Sequence, residues 1–194
     1  MNAVESKQHL EARLAQIAEA IFLCIERKLV TPSLILIFSA IDITSWLDDE
    51  DPKESVKTRF TRWVDRYLLP AKPLQCTAIE LYAARCGLVH TLTPESNLTK
   101  QENVRQIIYA WGTSKADKLQ EMITLGQISK YVSLHIEELL KAYLLGLATF
   151  LEEVSNNPSK AAKVYAKSDK FFGTLTEEHA DALLRTAKAL LEDS

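Results

Sequence analysis

Arg85 and His90 are the residues of this sequence best suited to chemistry. They stand five apart in the stretch ELYAARCGLVHTLTPES, Glu80 to Ser96. Histidine titrates near neutral pH and can give or take a proton. Arginine stays charged and forks onto two oxygens of a phosphate. RNA cleavage by its own 2′-OH needs a base for that hydroxyl, an acid for the leaving oxygen and positive charge on the phosphorane. One histidine and one arginine supply half of that set, and a two-fold dimer would supply the other half.

The spacing alone is a weak signal. An arginine late in a helix is favoured by the helix dipole, and a histidine there can cap free carbonyls. On a straight helix, residues five apart differ by about 140° in direction. The pair converges if the helix loosens near Gly87, a poor helix former, if Arg85 reaches around, or if a second chain brings its own copy.

The elements that position this pair are helical. Leu10, Leu14, Ile17, Ile21, Ile25 and Leu29 recur at helical spacing and predict a first helix over roughly 5–29. Thr31 offers an N-cap and Pro32 a first helical position for a second helix, to about Trp46. That helix is apolar all round at LILIF, Leu34 to Phe38, and is expected to be central. Asp42 within it must be paired or hydrogen-bonded, either to Arg85 or to a local backbone group. Ser39 shares its face. The acidic run at 48–51 reads as a solvated loop.

A third helix is expected over about Ser55 to Leu68. It carries Phe60, Trp63, Val64 and Tyr67 inward and Arg59, Arg62 and Arg66 as a basic stripe. Thr77 and Glu80 form a T-x-x-E capping box that starts the fourth helix, which ends near His90. Tyr82 lies three residues before Arg85.

Val104 to Gly112 and Lys130 to Ile136 read as two short strands around a short helix. A long helix follows over about Ile136 to Ser155, and Asn157-Pro158 starts another. Lys160, Lys163, Lys167 and Lys170 form a second basic stripe. Thr174 and Glu177 make a further capping box for a last helix with Leu183, Leu184 and Leu190. The bland reading of both basic stripes is a solvated helix face.

Composition bounds the rest. The chain has 194 residues, 47% of them apolar and 25% charged, with a net charge of −3. It is long enough for a real core and is not a bulk polyanion binder. Five glycines are too few for a turn-rich β fold and form no GxGxxG or P-loop. The three cysteines, Cys24, Cys76 and Cys86, contain no CxxC pair and read as reduced thiols. The first residues lack an apolar h-region, and the run Leu29 to Ile43 is short and interrupted, so a cytoplasmic protein without a membrane span is expected. His9, His90, His135 and His179 are scattered, so no metal site is expected. His135 and Glu137 make an H-x-E without the cysteines of a zinc deaminase, and His135 reads as a satisfied interior or interface residue.

A helical chain with R-x4-H at the end of its fourth helix resembles the HEPN superfamily (higher eukaryotes and prokaryotes nucleotide-binding domains). The matching residues are Arg85-Cys86-Gly87-Leu88-Val89-His90, and the FSAID helix upstream fits the layout. The resemblance covers about Leu10 to Phe150. Position 86 departs from it, since active members often carry Asn, Asp or His directly after the arginine.

Many HEPN members are metal-independent endoribonucleases, often toxins or defence effectors, while others bind nucleotides or serve as scaffolds. The resemblance implies RNA as substrate, a homodimer, an antitoxin or nucleotidyltransferase partner, and no cofactor or metal.

The expectation is therefore an all-α, HEPN-like helical bundle with a small β-hairpin insertion around residues 103–135. Residues 1–155 form the domain and 156–194 a C-terminal helical extension packed on it. The expected function is metal-independent endoribonuclease. The alternatives are a non-catalytic nucleotide- or RNA-binding module and a helical interaction or scaffold protein. His90 is the candidate general acid/base and Arg85 the phosphate stabiliser. Asp42, Ser39 and Tyr82 are candidates to support them, and Arg59, Arg62 and Arg66 to track an RNA backbone.

Overall fold

A computed structural model describes residues 3–49, 51, 53–93, 96, 98–99, 104–171 and 185. The elements are α1 (Ala3–Glu26), α2 (Val30–Leu47), α3 (Val56–Trp63), a π-helical segment Val64–Leu68 with a last turn Leu69–Ala71, α4 (Ala78–Thr91), β1 (Gln106–Ala110), α5 (Ala116–Leu125), β2 (Tyr131–His135), α6 (Ile136–Asn156) and α7 (Pro158–Ser168). The described residues are all-α apart from the two short strands. The expected last helix after Thr174 falls outside the described residues, apart from Arg185.

Helix α2 is the centre of the bundle, and α1, α3, α4, α6 and α7 all pack on it. Its Leu34, Ile37, Phe38, Ala40 and Ile41 are buried, as its all-round apolar composition requires. The hydroxyls it buries turn back on their own helix: Ser33 donates to the Leu29 carbonyl at 2.8 Å and Thr44 to that of Ala40 at 2.9 Å. The helix starts two residues earlier than Thr31 suggests. Leu29 is its N-cap residue and makes no side-chain cap bond. By length and composition these 18 residues could cross a membrane, and half of them are buried inside the protein.

Helix α3 begins at the Ser55 cap, whose side chain accepts from Thr58 N–H, and runs straight into the π-helical segment. That segment packs against α6. Gly146 makes the approach possible: a Cβ there would lie 3.0 Å from Leu68 Cα and from the Tyr67 carbonyl carbon and oxygen.

The region around 103–135 is not a hairpin. Strands β1 and β2 run parallel, with Gln106 opposite Tyr131 and Ala110 opposite His135. Parallel strands need a crossover, and α5 provides it. The sequence has both strands and the helix, and it is the ten-residue helix between them that excludes a tight turn. The outer edge of β2 is occupied from within: Ser133 N–H donates to Gln120 Oε1 at 2.9 Å and Ser133 Oγ to the Ala116 carbonyl at 2.7 Å. His135 caps α6, its Nδ1 accepting from Glu137 N–H, while its Nε2 lies 3.2 Å from the Gly112 carbonyl. Only a protonated Nε2 satisfies both contacts.

Candidate active site

Helix α4 is started by the complete Thr77–Glu80 capping box. Glu80 is clamped from outside the helix as well, by Arg105 Nε at 2.5 Å and Nη2 at 3.0 Å. Burial raises its carboxyl, but the Arg105 and Thr77 hydrogen bonds outweigh that and hold it below the ordinary carboxylate range. The register of α4 is thereby fixed, and with it the direction of Arg85, about one and a half turns on. The helix continues unbroken through Gly87 to Thr91. It stops at Leu92, which adopts a left-handed φ of 53°.

Arg85 joins two elements. Its Nε donates to Asp42 Oδ2 on α2 at 2.7 Å, and its Nη1 lies 3.2 Å from His90 Nε2. The structure thus chooses between the two partners open to Asp42: it pairs with Arg85. It also settles how residues five apart meet. The helix does not loosen at Gly87, so the reach of the arginine side chain closes the gap. The Arg85 and Asp42 side chains are 16% and 20% exposed, while His90 is exposed. The carboxylate and the guanidinium are both largely withdrawn from solvent, and the imidazole is the solvent end of the trio.

A guanidinium only donates, so in this contact His90 Nε2 is the acceptor and its ring proton sits on Nδ1. The Asp42 carboxyl is desolvated, and its Oδ1 is buried without a hydrogen-bond donor. Burial therefore pushes its pKa up despite the Arg85 hydrogen bond and charge. Burial also works against the charge of Arg85, but the bond and charge of Asp42 more than offset it and raise its pKa. Arg85 is accordingly a fixed cation.

The other candidates lie around this trio in different ways. Tyr82 packs on Phe60 of α3, ring centroids 5.4 Å apart, and its hydroxyl neighbours Cys86. The Cys86 thiol in turn lies beside Arg85. Ser39 is half-buried one turn before Asp42, and among the described residues no hydrogen bond ties it to Arg85 or His90.

The basic stripe along α3 and the π-helical segment is divided. Arg62 pairs with Glu54 at 2.5 Å and Arg66 with Glu153 at 2.6 Å, so two of its three charges are neutralised. Arg59 has no carboxylate partner among the described residues.

The acidic run at 48–51 was expected to be solvated, yet Asp48 and Asp49 are 5% and 8% exposed. The reason is α7. Lys160 Nζ meets Asp48 Oδ1 at 2.5 Å, Tyr67 Oη at 2.6 Å and Glu153 Oε1 at 3.1 Å. Lys167 donates to the Trp46 carbonyl at 2.7 Å and to that of Asp49, capping the negative end of α2. Half of the second basic stripe is thus internal. A polar cleft of about 220 Å³ borders this network, with Arg66, Ser159 and Lys163 on its rim. The sequence offered one clue to the network, the lysine spacing, but not the partners.

Among the described residues, no three His, Cys, Asp or Glu side chains group closely enough to hold a metal ion. No known protein family, curated protein or solved structure matches this chain. The trio of Asp42, Arg85 and His90 is therefore read on its own chemistry.

Proposed function

We propose that this chain is a metal-independent endoribonuclease of the HEPN type, acting as a homodimer. The observation that carries the reading is the chain of contacts Asp42–Arg85–His90, a half-buried carboxylate behind a fixed guanidinium in front of an exposed imidazole.

In this reading a phosphodiester draws the Nη side of Arg85 onto its non-bridging oxygens. Arg85 keeps its Nε bond to Asp42, which holds the guanidinium plane in place. The shift frees the His90 Nε2 lone pair, which then takes the proton of the 2′-OH. The 2′-oxygen bonds to phosphorus, the P–O5′ bond breaks, and the 5′-oxygen leaves with a proton. The products are a 2′,3′-cyclic phosphate and a 5′-hydroxyl. The proton for the leaving oxygen comes from the His90 of a second copy, and the second Arg85 adds charge at the phosphorane.

A non-catalytic RNA- or nucleotide-binding module is the second reading. It is favoured by one feature, the engagement of Arg85 by both Asp42 and His90 in the resting chain.

Cleavage of a mixed-sequence RNA in excess EDTA separates the two. The expected result is cyclic-phosphate ends from the wild type, with losses of about 10²–10⁴-fold for His90→Ala and about 10²–10³-fold for Arg85→Ala. A folded, dimeric wild type that leaves RNA intact would overturn the nuclease reading in favour of the binding module.

A further inference from the structure

Arg59 stands apart from the other two arginines of its basic stripe. Arg62 and Arg66 are each held by a carboxylate, whereas Arg59 pairs with none among the described residues. Its Nε is buried and has no hydrogen-bond partner among the described residues. Its neighbour Phe60 is fully buried and packs on Tyr82, with centroids 5.4 Å apart. Tyr82 precedes Arg85 by three residues, so this contact sets the start of the second turn of α3 against α4 about one turn before Arg85. Helix α3 also packs on α2, the helix that carries Asp42.

We propose that Arg59 is a second phosphate-holding residue of this site, gripping the phosphate next to the scissile one as a single RNA strand crosses from α4 to α3. The inference rests on the ribonuclease reading and adds the direction in which the strand runs. A half-buried guanidinium with no carboxylate at pairing distance among the described residues is an incomplete ion pair, and an external phosphate completes it with charge-assisted bonds. The charge of Arg59 also acts on Asp42, so the two arginines share one electrostatic field. Arg62 and Arg66 already spend their charge on Glu54 and Glu153 and contribute little to the grip.

The test is binding, measured without cleavage. A short single-stranded RNA with 2′-O-methyl groups cannot attack its own phosphates. Its affinity for wild type, Arg59→Gln, Arg59→Lys and Arg62→Gln is followed by fluorescence anisotropy over a range of salt, after thermal melts of each variant.

Arg59→Gln is expected to weaken binding about tenfold at low salt. It should also flatten the log–log salt slope by about 0.7, the value for one lost contact to a single strand. Arg59→Lys should recover the slope and part of the affinity, and Arg62→Gln should change binding less than about twofold.

Unchanged affinity and slope in Arg59→Gln, with a wild type that binds, would overturn the role of Arg59 and leave the nuclease reading to the cleavage assay. Equal losses in Arg59→Gln and Arg62→Gln would also overturn it, in favour of a diffuse basic surface. A wild type that binds no RNA would sink this inference and the reading beneath it together.

Discussion

Asp42 and Arg85 meet at 2.7 Å although 43 residues separate them in the chain. The contact joins the central helix of the bundle to the helix that carries both candidate reacting side chains. Each partner is in part removed from water, so each depends on the other for its missing solvation.

Removal of one partner therefore costs more than a surface ion pair would. Asp42→Ala leaves the Arg85 guanidinium partly buried without its acceptor, and a loss of about 2 kcal/mol in urea unfolding is expected. Arg85 also loses its orientation. If the chain cleaves RNA, kcat should fall by about a hundredfold with KM changing far less. A KM effect alone would show that Asp42 does not position the guanidinium for chemistry.

Glu80 gives a pH signature with a definite sign. Its folded pKa lies below the ordinary value of 4.5. A lowered carboxyl contributes stability that is present above the unfolded pKa and lost as pH falls through the folded one. Glu80→Gln should thus cost about 1–2 kcal/mol at pH 7. The gap between the variant and wild type should close as pH drops below 4.5, the unfolded value. Thermal melts between neutral and strongly acidic pH would show whether the gap closes or stays constant.

Gly146 should tolerate no side chain. A methyl group would meet backbone, not a side chain that can turn away. Gly146→Ala is expected to cost about 1–3 kcal/mol, which for a chain of this size lowers Tm by several degrees. An unchanged Tm would mean that the π-helical segment moves aside easily.

The sequence was legible where one residue type leaves few options. A carboxylate in an apolar run had to find a partner, and Asp42 did. The Thr77–Glu80 box and the Asn157–Pro158 start are local signals, and both mark true helix ends. What failed was long-range. Asp48 and Asp49 look solvated in the chain because nothing local shows that Lys160 and Lys167, more than a hundred residues later, fold back over them. Strand direction at β1 and β2 is likewise a tertiary property, and the short apolar runs fit either pairing. The π-helical segment has no pattern of its own, since an extra residue in a turn does not alter which types it contains. As for the candidate site, residue types and spacing pointed to Arg85 and His90. Only coordinates could show that the arginine bridges Asp42 and His90 at the same time.

The amide of Gln120 has a consequence for how this molecule behaves in a crowd. A strand at the border of a sheet offers its free N–H groups to any extended segment that drifts past, which is how sheets grow between molecules. Here the Ser133 donor is already taken by that amide. The β unit thus carries its own stopper on that border. A change as small as Gln120→Ala would uncork it, so the first sign of damage there would be slow clumping of concentrated protein, with the fold of each molecule intact.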